Sequence, residues 1–280
     1  MALARRLHLP LLRIRSILPV SISAVAAVQS VPTPDLADRR YHLREHQVAA
    51  DNVVSGHLPD HARQERHLCD GIAPSLGISY NAAWRLKHKL MQVMLERDQN
   101  KPLSGFIEID DAYLDGERSG GKVGRGAEGK TPFLAAVQTT DQSQPVKIKL
   151  TVIKGFRSDE LLEWSRRHLT PDSTVISDGL ACFNAVTEAG CEHDRIVCGG
   201  GRASVEEPEL HWVNTILGNL KSALRGTYHA VRPKYAQRYL SEFEYRFNRR
   251  FNLVNLLPRL IYVALRTPPM PEKLLKIGLV

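Results

Sequence analysis

The sequence predicts an α/β fold, in which a mixed β-sheet is flanked by helices and preceded by a small helical segment. Two observations support this prediction. Apolar runs rich in β-branched residues follow one another near residues 106–114, 133–140 and 146–153, which predicts three consecutive strands. Helical and extended patterns then alternate along the chain, an order typical of a mixed sheet with helices packed on it.

The later elements follow from the spacing of apolar residues. We predict helices near 158–168, 180–189, 209–225 and 233–249, strands near 174–177 and 195–198, and a last apolar segment over 253–265. The sheet and its helices therefore form one predicted domain over residues 103–252, followed by a C-terminal helix and tail over 253–280.

A helical segment is predicted before this domain, over residues 66–98. Gly77 indicates a turn, and Ser79 is a suitable N-cap for the basic helix that follows. The segment therefore resembles a helix-turn-helix, whose second helix would bring Arg85 and Lys87 to a DNA groove. Because Pro74 disfavours a regular first helix, a plain helical hairpin is the alternative.

Residues 1–65 carry no recognisable functional pattern. The first 34 residues contain several arginines and no acidic residue, a composition typical of a transit or signal peptide. Pro19 interrupts the apolar stretch over 17–28, which is too short to cross a membrane. We expect a poorly ordered or altered leader and no membrane partner.

Composition favours a polyanionic partner. The net charge is +8, and cationic side chains that neutralise phosphates gain affinity by releasing counterions. The four cysteines form no C-x-x-C pair, so the sequence predicts neither a zinc ribbon nor a disulfide framework. Reduced thiols of this kind favour the cytoplasm.

Two aspartates each end a short apolar run. Asp110 follows residues 106–109 and Asp178 follows residues 174–177, so each carboxylate is predicted where a strand meets a loop. A single aspartate in this position is usually a turn residue or a helix cap. Two of them at neighbouring strand ends can share divalent ions for phosphodiester chemistry, and hard oxygen ligands favour Mg²⁺ or Mn²⁺ over zinc.

The predicted helix over 209–225 carries a third polar pair. Its apolar residues recur at helical spacing, and Asn214 and Lys221 lie two turns apart on nearly one line. An amide that binds a metal and an ammonium that binds phosphate would then point the same way. An isolated pair of this kind more often faces solvent.

At these motifs the chain resembles the bacterial insertion-sequence transposases of the ISXO-like group, which are DDE-type enzymes with an RNase H-like catalytic domain. The resemblance covers about the last two thirds of the chain, in the order of the family's motifs. The matching stretches are Ile107–Tyr113, Gly129–Pro132, Ile176–Gly179, Val213–Ile216, Arg225–His229 and Tyr239–Arg250.

The resemblance implies an RNase H-like sheet and a DNA transposase that uses Mg²⁺ or Mn²⁺ to cut at insertion-sequence ends and to transfer strands into target DNA. It implies Asp110 and Asp178 as metal ligands, Asn214 as the third ligand in place of the usual Glu, and Lys221 as a basic residue at the DNA phosphate. Asp111 stands where relatives tend to have Glu. The implied partners are DNA and further copies of the chain assembled on it, in the bacterial cytoplasm at the nucleoid.

Basic side chains near these motifs are candidate DNA contacts, although several cations of any such set are ordinary solvated charges. The predicted set is Arg85, Lys87, Arg125, Lys130, Lys221, Arg225, Arg246, Arg249 and Arg250.

A competing motif lies at Gly124–Thr131, which fits the P-loop pattern G-x-x-x-x-G-K-[ST]. A P-loop needs a helix that starts at its lysine. Pro132 and the apolar run after it favour a strand instead, so Gly116–Gly129 is predicted to be a basic hairpin loop. A P-loop nucleotide hydrolase and a catalytically inactive DNA-binding remnant of a transposase are the two alternative functions.

Overall fold

The structure is a computed structural model that describes residues 73, 76–114, 130–196, 208–228 and 231–278. The predicted leader, the first part of the predicted helix-turn-helix, the hairpin loop over 116–129 with Arg125, and two cysteines, Cys69 and Cys198, lie outside these residues.

Five strands form one mixed sheet. They are β1 (Phe106–Leu114), β2 (Thr131–Thr139), β3 (Pro145–Val152), β4 (Thr174–Asp178) and β5 (Glu192–Ile196), in the spatial order β3-β2-β1-β4-β5. β1, β2 and β3 pair antiparallel, whereas β4 lies parallel to both β1 and β5. A crossover connection is needed between parallel strands, and helical segments supply it here. This sheet with flanking helices confirms the predicted RNase H-like fold.

The helices are named in chain order. They are α1 (Tyr80–Asp98), α2 (Ser158–His168), α3 (His211–Ala223), α4 (Ala236–Phe247), α5 (Leu256–Arg266) and α6 (Glu272–Ile277). The predicted helix over 180–189 is a 3₁₀ segment, Ala181–Ala189, which ends at Gly190 in the left-handed region at φ 85°. α3 follows a 3₁₀ turn, Pro208–Leu210, and continues into a π-helical turn, Leu224–Tyr228.

Each face of the sheet has its own apolar core. Ile107 and Ile109 of β1 pack with α2 and the 3₁₀ segment on one face. Ala112 and Leu114 of the same strand pack with α3 and α4 on the other. Because side chains alternate along a strand, the even-numbered residues of β1 face α3.

β3 is an edge strand, and α4 covers its free edge with side-chain hydrogen bonds. The backbone N–H groups of Ile148, Leu150 and Val152 donate to α4-side residues in turn. The acceptors are Asn248 Oδ1 at 2.7 Å, Glu244 Oε2 at 3.0 Å and Gln237 Oε1 at 2.7 Å. An uncovered row of these groups would invite pairing with another chain.

The predicted element bounds agree closely with the structure except at β5. We predicted a strand near 195–198, but β5 is Glu192–Ile196. Its mostly exposed, polar side chains give no strand periodicity, and its register is set by pairing with β4. The helix predicted after Ser79 is α1, and Ser79 caps it by accepting from Ala82 N at 3.3 Å. The helix-turn-helix itself stays a prediction.

Among the described residues, no helix is both long enough and apolar enough to cross a lipid bilayer. Within the same part of the chain, Cys182 and Cys191 are buried and form no disulfide.

His88 of α1 is enclosed by aromatic and cationic side chains. Its ring lies 4.2 Å from that of Trp84 and 4.8 Å from that of Tyr235, and the side chain has no exposed surface. Burial, with the nearby charges of Lys87 and Arg238, lowers the pKa of His88 to about 2. The imidazole is therefore neutral in the fold.

This pKa predicts a loss of stability in mild acid. The unfolded chain protonates His88 below about pH 6.5 and the folded chain does not, so this contribution is present above pH 6.5 and falls as the pH falls. Between pH 7 and pH 5, the loss in unfolding free energy should be about 2 kcal/mol smaller for His88→Phe than for the wild type. Urea titrations at the two pH values measure it. Exposed His211→Gln is the control, and an equal loss in His88→Phe and the wild type would contradict the assignment.

Candidate active site

The two predicted aspartates lie at the same edge of the sheet. β1 pairs with β4 only from Phe106↔Thr174 to Ile109↔Ser177, and β1 then continues beside β2 alone. Asp110 is therefore the first residue of β1 beyond this pairing, and Asp178 is the last residue of β4. Asp110 is thus inside β1 and not, as predicted, where a strand meets a loop, because β1 continues to Leu114. The end of β4 leaves a notch beside β1 that both aspartates border.

Asp110, Asp111 and Asp178 converge at this notch. One carboxylate oxygen from each lies within 4.8 Å of the other two, and all three side chains are half-buried. Local hydrogen bonds orient two of them, since Asp110 Oδ1 accepts from Asp111 N at 2.8 Å and Asp178 Oδ1 accepts from Leu180 N at 3.1 Å. Such closely spaced carboxylates repel one another, and a divalent cation relieves the repulsion. The donor set is hard oxygen, which fits Mg²⁺ or Mn²⁺.

Asp111 belongs to this cluster although we did not predict it as a ligand. Strict alternation along β1 would place its side chain on the face opposite to Asp110. Its position beside the notch, where no β4 residue pairs with β1, gives its carboxylate access to Asp178. The Asp110-Asp111 pair in the sequence was the available signal.

Asn214 and Lys221 lie on α3, the helix that covers this face of the sheet. Val213, Ile216, Leu217 and Leu220 of α3 are buried against the sheet, Asn214 is half-buried, and Lys221 is exposed. Asp110 shares the face of Ala112, which packs with α3, and Asp178 shares the face of Ile176, which packs there too. The predicted ligands are thus on one side of the sheet.

Glu108 links α3 to β1, and sequence reasoning missed it. The residue is 5% exposed, and its Oε2 accepts the backbone N–H of Val213 at 2.8 Å. Burial raises the pKa of Glu108 to about 7, against the opposing effect of hydrogen bonds from the Val213 and Trp212 backbone. A glutamate between Ile107 and Ile109 was the signal, because a buried carboxylate requires a partner.

The structure changes the set of candidate DNA contacts. Lys87 is 3% exposed, and its Nζ donates to Tyr239 Oη at 3.0 Å inside the protein. Its ammonium is therefore enclosed, and we remove Lys87 from the set. Arg249 forms a two-pronged ion pair with Asp98 at 2.6 and 2.8 Å, which joins the ends of α4 and α1.

Two further arginines are also engaged within the fold. Arg246 pairs with Glu242 one turn earlier in α4. Arg250 donates to the backbone carbonyls of Val146 and Pro145 at the start of β3. These arginines therefore stabilise α4 and the covered edge of the sheet.

The remaining described cations are more accessible. Lys221 and Arg225 are exposed along α3 and its π-helical extension. Arg85 pairs with Glu272 of α6 at 3.0 Å in a partly exposed position. Lys130 immediately precedes β2, and because a strand begins at Thr131, the helix that a P-loop requires at this point is not formed.

The topology of the sheet, with a cluster of carboxylates beside the carboxyl end of β4, is that of an RNase H-like domain. Residues 102–248 match the ISXO2-like transposase domain family, which is more than half of the 280 residues. The chain belongs to the ISXO2-like transposase family.

Solved structures similar to the chain include three complexes of Mos1 transposase. The paired-end complex with left transposon end shares 10% identity, over 85% of this chain and 91% of that chain, with a TM-score of 0.24. The strand transfer complex shares 11% identity, over 89% of this chain and 92% of that chain, with a TM-score of 0.24. The mariner paired end complex with Mn shares 11% identity, over 69% of this chain and 74% of that chain, with a TM-score of 0.23. No curated protein matches the chain significantly.

Proposed function

We propose that this transposase cleaves DNA at the ends of its insertion sequence and joins those ends to target DNA in a reaction that depends on Mg²⁺ or Mn²⁺. The observation that carries the proposal is the convergence of Asp110, Asp111 and Asp178 where the parallel pairing of β1 and β4 ends. Family membership assigns transposase function, and the carboxylate cluster supplies a place for its chemistry.

Asp110 and Asp178 would hold the metal ions, and Asn214 would complete the ligand set from α3. Ions bound there would activate a water or a DNA 3′-hydroxyl and stabilise the leaving oxygen of the phosphodiester. The chain's own part is to fix these oxygens in place. The Leu180 N–H orients Asp178, and the Asp111 N–H orients Asp110.

Lys221 would bind the DNA phosphate near the reacting bond. It is exposed, and it follows Asn214 by two turns of α3, so both side chains project from the same side of the helix. Arg225 extends this line of positive charge, and Arg85 and Lys130 are the other described cations that we propose for DNA binding. Arg125, outside the described residues, stays in the proposed set. The nucleophile is a water or a hydroxyl, so no covalent protein intermediate is required.

The proposed partners follow from the reaction. Joining two element ends to one target favours a homo-oligomer assembled on DNA, acting in the bacterial cytoplasm at the nucleoid. The P-loop alternative loses its structural support because β2 begins at Thr131. A catalytically inactive DNA-binding remnant is the remaining alternative, and the next experiment separates it from an active enzyme.

The carboxylates should be essential for chemistry but not for DNA affinity. In Asp110→Ala and Asp178→Ala, the rate of strand cleavage on DNA that carries the element's own ends should fall at least about a hundredfold. DNA affinity should stay nearly unchanged, because cations supply it. Asp194→Ala, an exposed aspartate on β5, is the control. Cleavage retained in Asp110→Ala would remove the assignment, and a wild type that binds DNA but never cleaves it would favour the remnant.

Asn214 and Lys221 should differ in their response to metal. An amide oxygen can coordinate Mg²⁺, so Asn214→Ala should lose cleavage, and high Mn²⁺ should partly restore it. Lys221→Ala loses a phosphate contact instead, so metal should not rescue it, and the salt dependence of its DNA binding should weaken. Metal titrations of the cleavage rate test both. Normal cleavage by Asn214→Ala would move the third ligand elsewhere, with Asp111 the first residue to test.

A further inference from the structure

Helix α3 has no side-chain cap of its own. Its N-cap residue, Leu210, cannot accept a hydrogen bond from the first turn. The first backbone N–H groups of a helix need acceptors, and they favour a negative charge near them. Glu108 of β1 supplies the acceptor across 105 positions of sequence, with Oε2 at 2.8 Å from Val213 N.

The rest of the contact between α3 and the sheet is apolar. Val213, Ile216, Leu217 and Leu220 pack against residues of β1, β2 and β3. Apolar burial has no preferred direction and leaves a helix free to turn or slide by small amounts. A hydrogen bond has a defined length and angle, so the Glu108 bond selects one position of the α3 N-terminus.

This bond joins two of the three elements that carry the proposed ligands, β1 and α3. Glu108 precedes Asp110 by two residues on the same face of β1, and Val213 precedes Asn214 by one residue on α3. A side-chain hydrogen bond at this end of α3, from Trp212 Nε1 to the Ser143 carbonyl at 2.5 Å, reaches the turn between β2 and β3 and not the strand of Asp110.

We propose that Glu108 is a positioning residue, which holds Asn214 against the carboxylates of the metal site by binding the backbone of Val213. This inference rests on the proposed function for the role of Asn214 as a ligand. Glu108 itself faces the helix backbone and touches neither the DNA nor the reacting atoms.

The test is a double-mutant cycle on Mn²⁺ affinity, measured by calorimetry on the full chain. Partners that orient a metal ligand typically contribute about 10- to 100-fold to metal affinity. Glu108→Leu should therefore weaken Mn²⁺ binding about tenfold, as should Asn214→Ala. The double variant should bind no more weakly than the weaker single variant, because Glu108 acts through Asn214.

Two controls separate positioning from general damage. Glu108→Gln keeps an oxygen acceptor and should recover most of the Mn²⁺ affinity. Trp212→Phe removes the side-chain hydrogen bond from Trp212 to the Ser143 carbonyl and should leave the Mn²⁺ affinity nearly unchanged. If Glu108→Leu does not fold, Glu108→Asp replaces it in the cycle, since it keeps the charge but withdraws the carboxylate by one methylene.

Three results would overturn the inference: wild-type Mn²⁺ affinity in Glu108→Leu (or in Glu108→Asp where it replaces that variant), losses that multiply in the double variant, or no loss in Asn214→Ala. This test measures metal affinity and not DNA cleavage, so its failure can be distinguished from a failure of the proposed function. A protein that shows the expected cycle but never cleaves DNA would lose the proposed function and keep this role for Glu108.

Discussion

β1 and β4 run in the same direction and pair over four positions, from Phe106↔Thr174 to Ile109↔Ser177, and the site depends on this pairing. It brings two distant parts of the chain to one edge of the sheet and ends one residue before Asp110. The side-chain alternation of each strand then turns Asp110 and Asp178 toward α3. A shift of one position between the strands would send one of the two carboxylates to the opposite face. The carboxylate cluster is therefore a consequence of sheet register more than of any local motif.

Two buried glutamates, Glu108 and Glu244, join helices to strands. Glu108 reaches from β1 to the N-terminus of α3, and Glu244 reaches from α4 to the backbone of β3 while it pairs with Lys149 at 3.0 Å. Burying these carboxylates is costly unless their lone pairs are satisfied, which gives each bond a definite geometry. The same need for hydrogen-bond partners explains why Lys87, Arg249 and Arg250 bind groups within the protein. Part of the positive charge is therefore engaged within the fold, and the cations that we propose for DNA binding are exposed ones such as Lys221 and Arg225.

Most of the fold was predictable because its strands are apolar and its helices amphipathic. The ends of β1 and α2 agree with the apolar periodicity, and Asp110 and Asp178 stand out because each ends a buried run. β5 was misplaced because its pairing with β4, and not its own composition, makes it a strand. Asp111 and Glu108 were missed for a similar reason. The role of Asp111 depends on where the pairing of β1 with β4 ends, and the role of Glu108 depends on which helix N-terminus packs over β1. Both are properties of the tertiary structure, which the neighbouring sequence does not determine.

The metal ions of the proposed reaction would lie in the notch between β1 and β4. Anomalous scattering from crystals grown with Mn²⁺ and a DNA that carries the element's end tests it most directly. We expect a pair of Mn²⁺ peaks about 4 Å apart, with Asp110 and Asp178 among their ligands. Peaks bound only at other carboxylates, with none within coordination distance of Asp110 and Asp178, would contradict it.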